Sequence, residues 1–423
     1  MKFFRLILSV VSVASATVIT GRDGKVSYDG YKVFRIEAAD GIKALEETVA
    51  DASLLPLHGH GDHLDVAVSP DAADAFAALN LTSQLMVEDL GAAIATEGPI
   101  ERYDSPAEVA AVPSLSWFNA YHSYADHVQW VKDLQAALPQ NSEVINVGTS
   151  FEGRQIQGIH LWGTGGSGSK PAVYLHGTVH AREWVATMVV EYIAYQLVIG
   201  YENDTTVQSF LSKYDFYILP VVNPDGFVYT QSTDRLWRKN RMTRSSTSAV
   251  GTDINRNWPY KWEVAGGAST NPSAEDFKGL AAGDTPEVKV LKAFTDKLAA
   301  GKGIKLYIDY HSYGQYILLP YGYSCSAVSK NSAKQNSLAA TVRSTIAKSY
   351  GKTFTYGPIC STLYEATGGS TDYMTDVSGA ELAWAIELRG GGSGTSGFVL
   401  PVSEILPSGI EIWEGMKYLI GSM

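Results

Sequence analysis

The chain has 423 residues, 45% hydrophobic and 18% charged, with a formal net charge of −11. This is globular composition for at least two domains, and it excludes a disordered or fibrous chain. The acidic balance argues against nucleic acid as a partner, and two cysteines exclude a disulfide-stapled scaffold while leaving room for one bridge. The charge is unevenly placed: residues 17–112 carry 6 basic and 17 acidic side chains, and residues 113–423 carry 25 and 27. A step of that size marks a domain boundary near residue 112.

Residues 1–16 read as a secretory signal, with Lys2 and Arg5 ahead of an apolar run at 6–13 and small Ala14-Ser15-Ala16 at the end. The expected location is therefore extracellular. No later stretch approaches the ~20 apolar residues of a membrane span, so no membrane association is expected. In an oxidising compartment Cys325 and Cys360 could form the single bridge, buried free thiols being the alternative. Asn80-Leu-Thr82 and Asn203-Asp-Thr205 are glycosylation acceptors in a eukaryotic host. Residues 31–36 alternate like a strand, 41–49 have helical spacing and 64–68 alternate again. Ser69-Pro-Asp71 opens an Ala-rich helix to 79, and 84–88 is a last short strand. The result is β-α-β-α-β, a small α+β sandwich of ferredoxin-like type, followed by an Ala-rich linker at 105–112.

Beyond Pro113 the pattern changes. Helices are expected at 124–138, 184–200, 338–350 and 409–419, and continuous apolar strands at 171–176, 216–222, 304–309 and 383–387. Their alternation predicts an α/β domain with a mixed, largely parallel sheet and helices on both faces. Ligands of such sheets lie at the carboxyl ends of the strands, and the reactive residues follow those ends here. His180 and Glu183 follow the first strand and His311 closes the third. Two imidazoles and a carboxylate leave zinc an open position for water. On spacing alone the signal is weak, because His-x-x-Glu pairs are common and the His-Glu-x-x-His motif is absent.

Context makes it specific. The runs His180-Ala-Arg-Glu-Trp184, Asn223-Pro-Asp-Gly226, Arg235-Leu-Trp-Arg-Lys239, Asp253-Ile-Asn-Arg-Asn-Trp258, His311-Ser-Tyr313, Pro320-Tyr-Gly-Tyr323, Tyr364-Glu-Ala-Thr-Gly-Gly-Ser370 and Glu387-Leu-Arg389 occur in that order. From about residue 118 onward the chain resembles the secreted, proenzyme-type zinc carboxypeptidases of the A/B family. Residues 17–112 resemble that family's inhibitory propeptide less sharply. The resemblance implies a signal peptide at 1–16, a propeptide with linker at 17–112 and a catalytic domain at 113–423. It implies one Zn²⁺ per chain on His180, Glu183 and His311, with Asp253 holding His180 through its other ring nitrogen. Glu387 becomes the general base and acid, and Arg238 the stabiliser of the oxyanion. Asn255, Arg256 and Tyr364 grip the C-terminal carboxylate of the substrate, and Arg182, Ser312 and Tyr313 line the cleft further out. The chemistry of the residues agrees, because arginine supplies the permanently charged fork that a carboxylate accepts bidentately.

The implied partners are peptide and protein C-termini as substrate and an endoprotease that activates the proenzyme, with a monomeric chain. Among relatives, the position seven after the clamp tyrosine sets the floor of the side-chain pocket. Here it is Thr371, which is neutral, while Leu318, Ile359, Leu363, Ala366 and Ala385 match the rest, so preference for hydrophobic C-terminal residues is expected. Asp372 beside it is the weak point of that expectation. Many relatives carry a disulfide flanking the Asn-Arg motif, where this chain has Ala249 and Ser273. Two features are set aside: His58-Gly-His60-Gly-Asp-His63 as a solvated loop, and the glycine-rich stretch 163–168 as a surface turn. Competing readings are a zinc amidohydrolase acting on acylated amino acids and a peptide-binding relative without catalysis. The carboxylate clamp and propeptide count against the first, and Glu387 against the second.

Overall fold

The computed structural model describes residues 24–39, 41–52, 54–59, 61–106, 108, 111–390 and 397–423. The expected leader at 1–16 lies outside them, as does His60. The chain divides into two compact units, with the break between Gly91 and Ala92.

In the smaller unit, β1 (Lys32–Glu37), β2 (Leu55–Gly59), β3 (His63–Val68) and β4 (Ser83–Val87) form a sheet in the order β2-β3-β1-β4. Every pairing is antiparallel. Ile36, Leu64, Val66 and Val68 pack against Leu45 and Val49 of helix Ile42–Asp51. On β1 and β3, Arg35 and Asp65 stand opposite in register and pair through two hydrogen bonds of 2.8 and 2.9 Å. Ser69 accepts from the Ala72 amide just ahead of helix Ala73–Ala78, as the Ser-Pro-Asp signal predicts. The topology is β-α-β-β-α-β, one strand more than the sequence reading. The extra strand is β2, whose Pro56 and Gly59 read as breakers but are tolerated on an edge. His58 is therefore a buried strand residue and His63 opens β3, which corrects the solvated-loop expectation for that stretch to a strand pair.

Among the described residues, the larger unit carries one sheet built from β5 (Ser142–Thr149), β6 (Gln155–Leu161), β7 (Ala172–Gly177), β8 (Asp215–Leu219), β9 (Ile304–Ser312), β10 (Tyr316–Leu319), β11 (Thr355–Pro358) and β12 (Leu382–Leu388). The order is β11-β10-β12-β9-β7-β8-β6-β5. The middle strands β8, β7, β9 and β12 are mutually parallel. Antiparallel pairings flank them, β10 on β12 and β6 on β8.

Alternate residues of the middle strands feed two separate cores. Val173, Leu175, Leu306, Ile308 and Trp384 join helices Trp184–Gly200, Ser332–Tyr350 and Ile405–Ser422. Ala172, Tyr174, Tyr307 and Ala383 join helix Pro286–Ala300 on the other face. Each large apolar side chain buried this way contributes about 1.5–3 kcal/mol. Net stability is only about 5–15 kcal/mol, so neither face can stay uncovered. Helix Trp184–Gly200 is apolar all round because it is buried nearly throughout its length. No single helix among the described residues is long and apolar enough to cross a membrane.

The chain passes from β7 to β8 on one side and returns to β9 on the other. The reversal opens a crevice at the carboxyl ends of β7 and β9, where the motif residues gather.

Candidate active site

β7 ends at Gly177, and a short turn leads to the helix that begins at Trp184. Thr178 adopts φ 57°, uncommon for a β-branched residue. Its hydroxyl meets that of Thr187, one turn into the helix. The turn presents His180 and Glu183 to His311 at the end of β9. His180 Nδ1 lies 2.8 Å from Glu183 Oε1, and His311 Nδ1 lies 3.1 Å from both Glu183 Oε2 and His180 Nδ1. All three residues are buried, and their ligand atoms fall within 4.8 Å of one another. Two imidazole nitrogens and a carboxylate oxygen converging on one point fit a zinc ion with an open position.

Neighbouring elements hold this set. Asp253 Oδ1 is 3.2 Å from His180 Nε2, while its Oδ2 accepts from Arg238 Nη2 at 2.8 Å. Burial alone would raise the Asp253 carboxyl, but Arg238 and His180 outweigh it and hold it well below the usual range. Burial likewise opposes ionisation of Glu183, and His180 and His311 more than compensate. Asn223, which follows β8, donates to the Val179 carbonyl at 3.0 Å and accepts from the Gly226 amide at 3.1 Å. That fastens the ligand turn to helix Pro224–Ser232. Gly226 is required for the approach, since a Cβ there would stand 2.6 Å from the Lys239 carbonyl oxygen. The Ala181 amide donates to the Arg238 carbonyl at 3.0 Å, locking the two motif loops together.

Glu387 on β12 lies opposite His311 in the parallel register. Its Oε2 is buried without a hydrogen-bond partner. Burial pushes its pKa up to about 8, with His311 and Arg238 opposing and Glu183 and Asp309 adding. A carboxyl poised near neutrality beside the donor set can take up and release a proton.

Arg256 is buried and makes no salt bridge among the described residues. Its Nη1 donates to the Asn255 carbonyl at 3.0 Å and its Nη2 to the Tyr364 hydroxyl at 3.3 Å, while Nε has no partner. The Tyr364 loop reaches it because Gly368, at φ 66°, passes where a Cβ would meet the Arg256 carbonyl oxygen at 2.3 Å. Asn255 is oriented by the Ser370 amide, which donates to its Oδ1 at 2.8 Å.

The remaining cleft residues are more constrained than the sequence implies. Arg182 Nη1 donates to the Leu236 carbonyl at 3.1 Å and to Glu275 Oε2 at 3.0 Å, and its guanidinium lies 4.2 Å over the Phe398 ring. The Ser312 amide donates to Glu183 Oε2 at 3.3 Å, and Tyr313 packs edge-on against Phe398. Arg235 is buried, donating to Glu97 at 2.6 Å and to the Arg182 carbonyl at 2.8 Å. Glu275 and Glu97 lie outside every motif, and sequence reasoning missed both.

Leu318, Leu363 and Ala385 form a small apolar cluster flanked by Ile359 and Tyr364. Thr371 is buried in the first turn of helix Ser370–Asp376. Both oxygens of Asp372 are engaged by the amides of Gly322 and Tyr323, at 3.0–3.1 Å. The pairing of Cys325 with Cys360, left open by the sequence, is formed, with a Cα separation of 4.9 Å. It ties the loop after Tyr323 to helix Ile359–Thr362, just ahead of Tyr364. Asn80 and Asn203 are both exposed.

Residues 127–415 match the zinc carboxypeptidase family. The metallocarboxypeptidase A-like protein of Trichophyton verrucosum is 42% identical over 406 residues, covering 94% of each chain. Among solved structures, thrombin-activatable fibrinolysis inhibitor superposes with a TM-score of 0.82 at 27% identity, covering 93% of this chain and 98% of its own. Carboxypeptidase A from Helicoverpa armigera gives 0.78 at 27% identity, with the same coverage.

Proposed function

Since the chain belongs to the zinc carboxypeptidase family and is an A-like metallocarboxypeptidase, we propose that it is secreted as a monomeric proenzyme that removes single hydrophobic residues from peptide C-termini. Residues 1–16 form the leader, 17–112 the inhibitory propeptide with its linker, and 113–423 the catalytic domain.

His180, Glu183 and His311 hold one zinc ion per chain. When bound, zinc supplies a Lewis acid that polarises the scissile carbonyl and acidifies water. The rest is the work of this chain's own side chains. Arg256, Tyr364 and Asn255 take the substrate's terminal carboxylate, so the bond next to it is presented to Glu387. Glu387 accepts a proton from the attacking water at its unpartnered Oε2 and delivers it to the leaving amine. Arg238, held by Asp253, lies where negative charge develops on the carbonyl oxygen. The apolar cluster around Leu318 receives the terminal side chain.

The observation that carries this reading is Arg256. A buried guanidinium with an orphan Nε and no salt bridge is costly unless an anion completes it. A terminal carboxylate does so, and an internal peptide bond does not. The charge split supports latency, because a segment at 17–112 with 17 acidic and 6 basic side chains suits a site carrying Arg182, Arg238 and Arg256.

The test is release of C-terminal phenylalanine from a short peptide, before and after limited proteolysis between Arg102 and Pro113, with and without a zinc chelator. Activity is expected only from the clipped, zinc-loaded chain. Endopeptidase cleavage, or turnover that survives chelation, would overturn the exopeptidase reading. Equal activity of intact and clipped chain would overturn the latency.

A further inference from the structure

His311 has a carboxylate neighbour of its own. Asp309 precedes it by two residues on β9, so the strand's period of two sets both side chains on one face. Asp309 Oδ2 lies 3.0 Å from His311 Nε2 and accepts from the Ser370 hydroxyl at 2.9 Å. Asp309 Oδ1 lies 3.3 Å from His176 Nδ1, and His176 Nε2 is 2.6 Å from the Tyr307 hydroxyl. Asp309 and Tyr307 are fully buried, and Ser370 and His176 are 1% exposed. A buried carboxylate is retained only where its surroundings compensate it, and here the Ser370 hydroxyl donates to Oδ2 while the His311 and His176 rings stand 3.0 and 3.3 Å away.

The arrangement repeats that of the other ligand histidine. His180 turns Nδ1 toward the donor set and Nε2 toward Asp253, and His311 turns Nδ1 toward the same set and Nε2 toward Asp309. A carboxylate at the far nitrogen keeps the proton there, leaves the near lone pair free and makes the ring a stronger ligand. Arg238 and the Asn255 amide fix Asp253. Ser370 does the same for Asp309 through its hydroxyl, with the His176 ring standing beside Oδ1. Ser370 also donates its amide to Asn255, so one residue steadies both the carboxylate behind His311 and the clamp side chain Asn255.

We propose that Asp309 is a positioning residue for the metal site, holding His311 in the tautomer and orientation that bind zinc, with Ser370 keeping Asp309 itself in place. This rests on the reading of His180, Glu183 and His311 as zinc ligands.

The test measures the zinc dissociation constant of the full chain, stripped and then titrated in competition with a chromophoric chelator. Asp309→Asn keeps the shape and removes the charge, and it is expected to weaken zinc binding by about 10–100-fold. Ser370→Ala is expected to weaken it less, in the same direction. The visible spectrum of the cobalt(II)-substituted chain is expected to shift in both variants, which a change confined to fold stability would not produce. A folded Asp309→Asn chain with the wild-type constant and cobalt spectrum overturns the proposal. Where Asp309→Asn does not fold, an unchanged constant for Ser370→Ala overturns it. Failure of the wild-type chain to bind one zinc would instead overturn the metal-site reading beneath it.

Discussion

Glu387 and His311 stand side by side on parallel neighbours, β12 and β9, in exact register. The backbone ladder, rather than a loop, therefore sets the distance between Glu387, the proposed proton carrier, and His311. A site on rigid strands keeps its geometry when one side chain is changed for an isostere. Glu387→Gln is accordingly expected to retain zinc and peptide affinity while turnover falls about 10²–10⁴-fold, because the amide cannot carry the proton. Zinc content and the binding of a peptide inhibitor, measured alongside turnover, check this. Near-normal turnover in the variant would remove Glu387 from the mechanism.

Arg256 makes a different contribution, visible in what its loss leaves behind. Lysine at 256 keeps a charge but loses the planar fork. Arg256→Lys is expected to lower kcat/KM about 100-fold, equivalent to ~2.7 kcal/mol for a charge-assisted bidentate contact. The sharper readout is discrimination between a peptide with a free C-terminus and its C-terminal amide. The wild-type chain should reject the amide strongly and the variant only weakly. Unchanged discrimination would place the carboxylate elsewhere.

Much of this site could be read in advance because its residues lie in contiguous runs at strand ends. The helix from Trp184 to Gly200 follows from periodicity, while the role of the His180 turn and the pairing of Asp253 with His180 are what the family resemblance implies. What could not be read depends on contacts between distant segments. Glu275 on Arg182 and Glu97 on Arg235 are separated by 93 and 138 residues and carry no local signature. β5 escaped notice because it is a half-exposed edge strand, and β6 because its buried run is broken in sequence by Gln157, Gly158 and His160, unlike the continuous apolar runs of the sheet centre. Asp309 was legible in principle, since an acid two residues before a strand-borne ligand shares its face. Its partners His176 and Ser370 were not, because only the assembled sheet brings them together.

Asp372 supplies a pH signature. Burial pushes its carboxyl up to about 7 from the ordinary 3.8, Gly322 and Tyr323 amides opposing and Asp376 adding. Between those values the folded chain holds a proton that the unfolded chain has released. Stability therefore falls as pH rises through that window, by at most about 1.4 kcal/mol per pH unit, and the effect levels off above the upper value. Asp372→Asn removes the titration while keeping an acceptor for the two amides. The melting temperature of the variant, relative to wild type, is expected to climb from pH 4 to 7 and then stay level. Parallel melting curves across that range would show that Asp372 ionises normally.

On the proposed reading, side-chain preference turns on Thr371, the neighbour of Asp372. Thr371 is buried and neutral, and the cluster of Leu318, Leu363 and Ala385 offers no charge. Asp372, the acid next to it, has both oxygens committed to the 322–323 amides. A lysine or arginine side chain entering this pocket would lose its hydration without gaining a counter-charge, at a cost of several kcal/mol. A phenylalanine or leucine would gain about 1.5–3 kcal/mol from burial. Peptides ending in Phe are therefore expected to be cleaved at least about 100-fold faster in kcat/KM than matched peptides ending in Arg, a margin that needs only ~2.7 kcal/mol. The complementary variant is Thr371→Asp, which places a carboxylate in the pocket wall. It should narrow or reverse the ratio by raising the rate on Arg and depressing that on Phe. Faster release of Arg by the unmodified enzyme would mean that an acid already reaches the pocket, and the A-like preference would fall with it.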